Sequence, residues 1–313
     1  MATEITDTYS GPQSRGAKGA FSIHLRVFHF LRRWPVVPLV VLSVLVLTAI
    51  FAEQLAPHSW RQQSLPGRHA PPYWLDREWY EDRPRVQDKY ILGTDHVGRD
   101  VLSRMIHGAR ISLLVVAVAL TSGLLIGVSL GLISGWFGGV TDEIVSRFVD
   151  IWYALPFLLI ALVVIILFGQ SLLIMMIVLA MTAWVTFVRN VRAEVYSIKD
   201  RDYVLLSKIA GAGTLHMWIK HVMPGLISII AVVATLSVGS LILTEATLSF
   251  LGAGIPAPTP AWGVMIAEGR EHLRTAWWSS FFPGLAIFLV VMSLNFFGDW
   301  LRDRLDSRLR QLS

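Results

Sequence analysis

The chain has 313 residues, of which 54% are hydrophobic and 16% charged, and its mean hydropathy is +0.57. That balance is too apolar for an ordinary soluble domain and places the chain among integral membrane proteins. The formal net charge of +5 does not mark a nucleic-acid partner, because Lys and Arg are scattered at the edges of apolar runs; the absence of cysteine excludes disulfides, thiolate metal sites and thiol nucleophiles.

Charge-free runs locate the spans, since a charge at mid-bilayer costs roughly 2.5 to 3.5 kcal/mol on insertion scales. Residues 1–20 contain Gly and Ser and read as a disordered start, within an N-terminal segment 1–33. Residues 34–52 form the first span, too long for the apolar core of a cleavable signal. A loop at 53–110 follows, whose end at 98–110 sets Arg99, Arg104 and Arg110 among apolar residues and reads as an amphipathic helix lying on the membrane face. Residues 111–141 hold the second span. Residues 151–188 are charge-free over twice the length one helix needs and must fold back at Gly169, Gln170 and Ser171, giving spans three and four. Residues 222–244 and 277–297 are the fifth and sixth, and a charged tail fills 301–313.

The fold class predicted is therefore all-α integral membrane, with six transmembrane helices and a five-helix body over 111–300. Helices are required because backbone amides in lipid must be satisfied within their own segment. The cations of the N-terminus, of loop 189–221 and of the tail place those three segments in the cytoplasm.

No GxxxxGK[ST] phosphate loop is present, and no histidine pair stands at metal-ligand spacing. Gly127, Ser129 and Gly131 match GxSxG, but a nucleophile elbow needs a strand-to-helix turn and these lie inside an apolar run. Gly123, Gly127, Gly131 and Gly135 recur every fourth residue, which lines one helix face for close packing. An intramembrane serine protease is the remote alternative. A gradient-driven secondary transporter is the other, and it would want charges buried at mid-span and an inverted repeat.

Loop 189–221 is far longer than a turn requires. Asp202 is placed to cap a short helix, Leu206, Ile209 and Ala210 form an apolar stripe, Gly211 and Gly213 suit its end, and Pro224 suits the start of the next span. Physics leaves two uses for that stripe, docking on a partner or lying on lipid.

The order of residues in "RDYVLLSKIAGAGTLHMWIKHVMPG" resembles the cytoplasmic loop of ABC importer permeases, with Tyr203, Val204, Gly211, Ala212, His221 and Pro224 on the motif's frequent positions. Where that motif usually has Glu-Ala-Ala, this chain has Leu205, Leu206 and Ser207. "ILGTDHVGRDVLSRMIHGARISL", "LSFLGAGIPAPTPAWGVMIAEGR" and "FFPGLAIFLVVMSLNFFGDWLRDRLDSRL" are similar to the C-type permeases of dipeptide, oligopeptide and nickel importers. The resemblance implies a type I importer permease of the cell's inner membrane that performs no covalent chemistry and binds no cofactor. Its implied partners are a second homologous permease, two ATPase subunits that hold ATP and Mg, an extracytoplasmic solute-binding protein and the lipid bilayer. The residues implied to touch the ATPase are Tyr203, Val204, Leu205, Leu206, Ser207, Ile209, Ala210, Gly211, Ala212, His221 and Pro224.

Three further expectations concern single sites. Glu245, at the outer end of span five, faces either solute, partner or water. Asp150 pairs with Arg147 at the start of span three. The aromatic and acidic stretch 71–90, with Tyr73, Trp74, Trp79 and Tyr80, touches a partner protein or anchors the loop in lipid.

Overall fold

The structure is a computed structural model and describes residues 35–86 and 88–305; the N-terminal segment 1–33 and the last eight tail residues lie outside the described residues. Helix α1, Val36–Ile50, is followed by a loop with only short turns of helix, and α2, Val101–Phe137, starts ten residues before the apolar run does. Asp100 causes that early start by accepting a hydrogen bond from the Ser103 backbone N–H at 2.9 Å, which caps the helix. Residues 101–110 are thus the first turns of α2 and not a separate helix on the membrane face.

Helix α3, Gly139–Ala154, and α4, Phe157–Phe168, meet at a bend of 79°. Leu155 is extended, and Pro156 cannot donate the hydrogen bond that would continue α3. Glycine 169 ends α4 at φ 82°, Ser171 caps α5, and α5 runs Leu172–Lys199. The loop after α5 carries α6, Asp202–Ile209. A continuous helical stretch, Thr214–Ala253, contains α7, Met223–Leu248; α8, Trp262–Gly269, and α9, Trp278–Leu305, complete the order.

Among the described residues four stretches are long and apolar enough to cross a membrane: α2, α5, Thr214–Ala253 and α9. The bent pair α3–α4 brings the number to five if it counts as one crossing. The expected first span, over residues 34–52, is not among them by this measure. Helix α1 has 15 described residues, about 22 Å against a hydrocarbon core of about 30 Å. The third span is likewise not one straight helix: its first residues, 151–154, belong to the amphipathic α3, which also contains Asp142, Glu143, Arg147 and Asp150.

The core forms where α5 lies along α2 and where α7 packs on both α5 and α9. All four glycines of the α2 stripe are buried and face α5. A Cβ on Gly131 would stand 2.9 Å from the Val188 carbonyl oxygen, and one on Gly135 2.8 Å from the Val195 Cβ. Only hydrogen fits there, so the two backbones run side by side from one end of the bundle to the other.

Candidate functional site

Helix α6 follows α5 almost at once. Arg201 holds the capping position and Asp202 the first helical one, so Asp202 makes no side-chain cap, although its charge still lies at the positive end of the helix dipole. Val204 turns inward and is buried, while Tyr203, Leu205, Leu206, Ile209 and Ala210 are exposed and Ser207 is half-buried. Leu206 and Ile209 keep 64% and 82% of their surface open, an apolar ridge that nothing covers among the described residues. The helix stops in a Schellman motif: the Ala212 N–H donates to the Ser207 carbonyl and the Gly211 N–H to the Lys208 carbonyl, both at 3.1 Å. Gly211 has φ 83°, the left-handed conformation that this motif requires. Gly213, by contrast, has φ −68° and opens the next short helix, Thr214–Met217.

The rings of Tyr203 and His221 lie 5.9 Å apart, and His216 stands 6.1 Å from His221, so α6 rests on the base of the following helix. Pro224 is the second residue of α7, where its missing N–H is tolerated, and a π-helical turn, Trp218–Val222, leads into it from the preceding short helix.

The end of α5 that leads into α6 is tied to α3. Arg192 grips Asp142 through Nε and Nη2, the latter at 2.6 Å, and the Ser134 hydroxyl donates to the same carboxylate at 2.5 Å. Asp142 follows Gly138 and Gly139, two consecutive residues with positive φ that turn the chain from α2 into α3. Asp150 pairs with Arg189 of α5 at 3.1 Å, not with Arg147, whose partner is Glu143. The sequence reading missed the Asp142 and Arg192 pair because 50 residues separate its members.

A cavity of about 430 Å³ opens between α3, α4, α5 and α7. Polar side chains reach it from two helices: Thr182, Thr186 and Asn190 at every fourth position of α5, and Ser237, Ser240 and Thr244 on one face of α7. The spacing of both rows is legible in the sequence, where it went unread because each run lacks charge.

At the opposite end, Arg99 Nε and Arg104 Nη1 both reach Asp95 Oδ2 at 2.6 Å, and Arg99 Nη2 and Arg104 Nη1 reach Glu268 Oε2 at 2.9 and 2.6 Å. Two carboxylates and two guanidinium groups make a neutral network that joins the loop, the start of α2 and α8. Burial raises the cost of charge on Asp95, yet Arg104 and Arg99 outweigh it and hold the carboxyl below its ordinary value. Asp95, His96 and Glu268 have oxygen and nitrogen atoms within 4.8 Å of one another, but the guanidinium groups already occupy the carboxylates. Arg104 is 1% exposed, so the expected membrane-face role of this segment gives way to a buried one.

Glu245 is also enclosed at 1% exposure, with one oxygen accepting from the Ser249 hydroxyl at 2.8 Å. The structure therefore does not turn it toward solute, partner or water, because α2 and α8 pack over it. In the loop stretch, Tyr80 is buried against Tyr73 and Trp79, with its hydroxyl donating to the Pro71 carbonyl at 2.6 Å, while Trp74 is exposed. Ser129 is exposed and donates to the Leu125 carbonyl one turn back at 2.7 Å, which is the ordinary use of a helix serine.

A short exposed helix at the end of a glycine-seamed bundle is the geometry on which known proteins can be compared. Residues 127–311 match the family described as binding-protein-dependent transport system inner membrane component. The chain belongs to that family. It is 42% identical over 286 residues to the dipeptide transport system permease protein DppC of Escherichia coli K12, covering 91% of this chain and 93% of that one. It is 40% identical to the di/tripeptide transport system permease protein DppC of Pseudomonas aeruginosa UCBPP-PA14, with 87% of each chain covered. The oligopeptide transport system permease protein OppC of Bacillus subtilis 168 is 37% identical, covering 88% of this chain and 86% of that one.

Among solved structures, an inward-facing chain of the MetNI methionine ABC transporter superposes with a TM-score of 0.54 at 19% identity, covering 65% of this chain and 97% of that one. The permease thus has an all-α, multi-pass membrane fold of the MetNI type, with four to five clear crossings. It is an inner-membrane transport component and leaves ATP chemistry to a separate ATPase subunit. Neither the gradient-driven transporter nor the serine protease survives this assignment.

Proposed function

We propose that this permease forms half of the translocation path of a peptide importer and receives the ATPase stroke through α6. The observation that carries the reading is the apolar ridge of Leu206 and Ile209, exposed at the coupling end while Val204 fastens the same helix to the bundle. A ridge of this kind is stabilised by an apolar cleft on a partner. The residues Leu205, Leu206 and Ser207, where related loops carry Glu-Ala-Ala, make the dock apolar rather than salt-bridged. Dipeptides or oligopeptides are the solute, on the strength of what the relatives named above transport. The complex contains a second homologous permease, two ATPase subunits and an extracytoplasmic solute-binding protein. Residues 34–52 make the first of six crossings, both termini lie in the cytoplasm with the coupling loop, and residues 53–100 lie outside.

In an importer so built, ATP binding closes the ATPase pair and draws the two coupling helices together, and the bundle rocks from inward-open to outward-open. The test is to extract the tagged chain gently from membranes and identify what accompanies it, beside a Leu206→Glu, Ile209→Glu variant. ATPase subunits and a second permease accompany the parent, and only the ATPases are lost from the variant. Recovery of the parent alone, or of ATPases with both forms equally, overturns the reading.

A further inference from the structure

The cavity of about 430 Å³ between α3, α4, α5 and α7 falls within the range of about 300–1,000 Å³ typical of small-molecule sites. Six polar side chains from two helices face one space here, in runs that are otherwise apolar. Their arrangement also has a polarity of its own. The Thr182 hydroxyl donates to the Leu179 carbonyl and the Asn190 amide to the Thr186 carbonyl, both at 2.8 Å. The Thr244 hydroxyl donates to the Ser240 carbonyl at 2.8 Å, and the Ser240 hydroxyl reaches the Leu236 carbonyl at 3.4 Å. Three hydroxyls, those of Thr182, Ser240 and Thr244, have thus committed their protons to their own helices, as has one of the two amide hydrogens of Asn190. What these side chains present to the cavity is mainly oxygen lone pairs.

Among the described residues no Asp, Glu, Lys or Arg lines this space. An ion pair, Asp150 with Arg189, is set at its edge, where the Arg189 guanidinium stacks 4.0 Å from the ring centre of Tyr153, itself a lining residue. A charged wall would hold a zwitterion too tightly to release it, whereas neutral acceptors bind weakly and many times. We propose that Thr182, Thr186 and Asn190 of α5 with Ser237, Ser240 and Thr244 of α7 form the solute station of this permease. The station takes its ligand through hydrogen-bond donors, as supplied by the ammonium and amide N–H groups of a short peptide. The inference rests on the peptide-importer reading and adds the wall that the peptide touches.

The chain contains no cysteine, so single cysteines report cleanly. The complete importer, reconstituted in vesicles with its ATPases and binding protein, is prepared with Thr186→Cys, with Ser240→Cys, and with Ser129→Cys on the exposed side of α2. Each is treated with a water-soluble thiol reagent during turnover. At positions 186 and 240 labelling is fast, abolishes the uptake which that same variant had before treatment, and is slowed roughly tenfold by transported dipeptide at about ten times its half-saturating concentration. An N-acetylated dipeptide, which lacks the ammonium donors, protects less. Position 129 shows neither protection nor loss of uptake.

Labelling at 186 and 240 that matches position 129, or that peptide does not slow, overturns the station. Equal protection by the free and acetylated peptides overturns the donor chemistry. Should the unsubstituted complex take up no peptide at all, the peptide reading of the previous subsection fails instead, and the labelling pattern still shows whether water enters the cavity.

Discussion

Gly127 lies directly against Phe187: a Cβ on the glycine would stand 2.5 Å from the Cβ of the phenylalanine, with the Trp184 carbonyl oxygen equally in the way. Neither obstacle can rotate aside, because one is backbone and the other is the root of a fully buried side chain. Gly127→Ala therefore forces α2 and α5 apart and costs about 1–3 kcal/mol. Thermal unfolding of the purified permease in detergent checks this against Gly284→Ala, where the new Cβ would meet only Ile266 at 3.9 Å. The second variant unfolds at or slightly above the parent's temperature.

The end of α6 offers a different glycine. A Cβ at Gly211 would meet nothing within 4 Å, so any cost there comes from its φ of 83° alone. Gly211→Asn, a residue that tolerates this conformation, retains ATPase subunits through purification. Gly211→Val frays the Schellman end at a cost of about 1–2 kcal/mol and loses them. Equal retention by both variants counts against a role for the helix end in docking.

The clasp between Asp142 and Arg192 fastens α3 to the end of α5 from which α6 follows. Asp142→Asn weakens the grip, and the complex then assembles yet hydrolyses ATP with about tenfold less solute carried per ATP, a coupling loss of roughly 1.4 kcal/mol. The exchange Asp142→Arg with Arg192→Asp recovers part of that coupling, which a merely destabilised protein would not do. No recovery in the exchange removes the clasp from the transmission path.

Three histidine rings meet in the loop and the segment after α8: His272 lies 4.6 Å from His69 and 5.7 Å from His96. Burial lowers the pKa of His69, helped by His272, Arg68 and His96 and opposed by Asp95. Burial also lowers that of His96, against Asp95 and Glu268 and with the help of Arg99 and His272. Groups with depressed values in the folded protein contribute stability above the ordinary imidazole value of about 6.5, and it is lost as pH falls through their folded values. Amide exchange at Ala70 and Thr94, corrected for its intrinsic rate, accelerates between pH 7.5 and about 5. His272→Ala blunts the effect.

Much of this molecule could be read from where charge is absent. The runs behind α2, α5, α7 and α9 declared themselves, and the break at Gly169 to Ser171 fell where a charge-free run exceeded one helix. Helix α3 escaped because its Asp142, Glu143, Arg147 and Asp150 look like the edge of a span, although Pro156 was a visible sign that two helices meet there. The start of α2 escaped for a longer-range reason. Arg104 reads as a surface cation until Glu268, 164 residues away, arrives to neutralise it with Asp95. The ridge of α6 was legible because helical spacing is local. The clasp and the two polar rows become a site only when separate helices are laid together.

The bend at Pro156 gives the membrane wall an unusual construction. Twelve residues of α4 rise about 18 Å, little more than half of a hydrocarbon core of about 30 Å. The pair is two helices held at 79°, one wholly apolar and the other carrying Asp142, Glu143, Arg147 and Asp150. One proline thus lets a single stretch of chain present an apolar face and a charged one side by side, while the glycines of α2 keep the neighbouring seam closely packed.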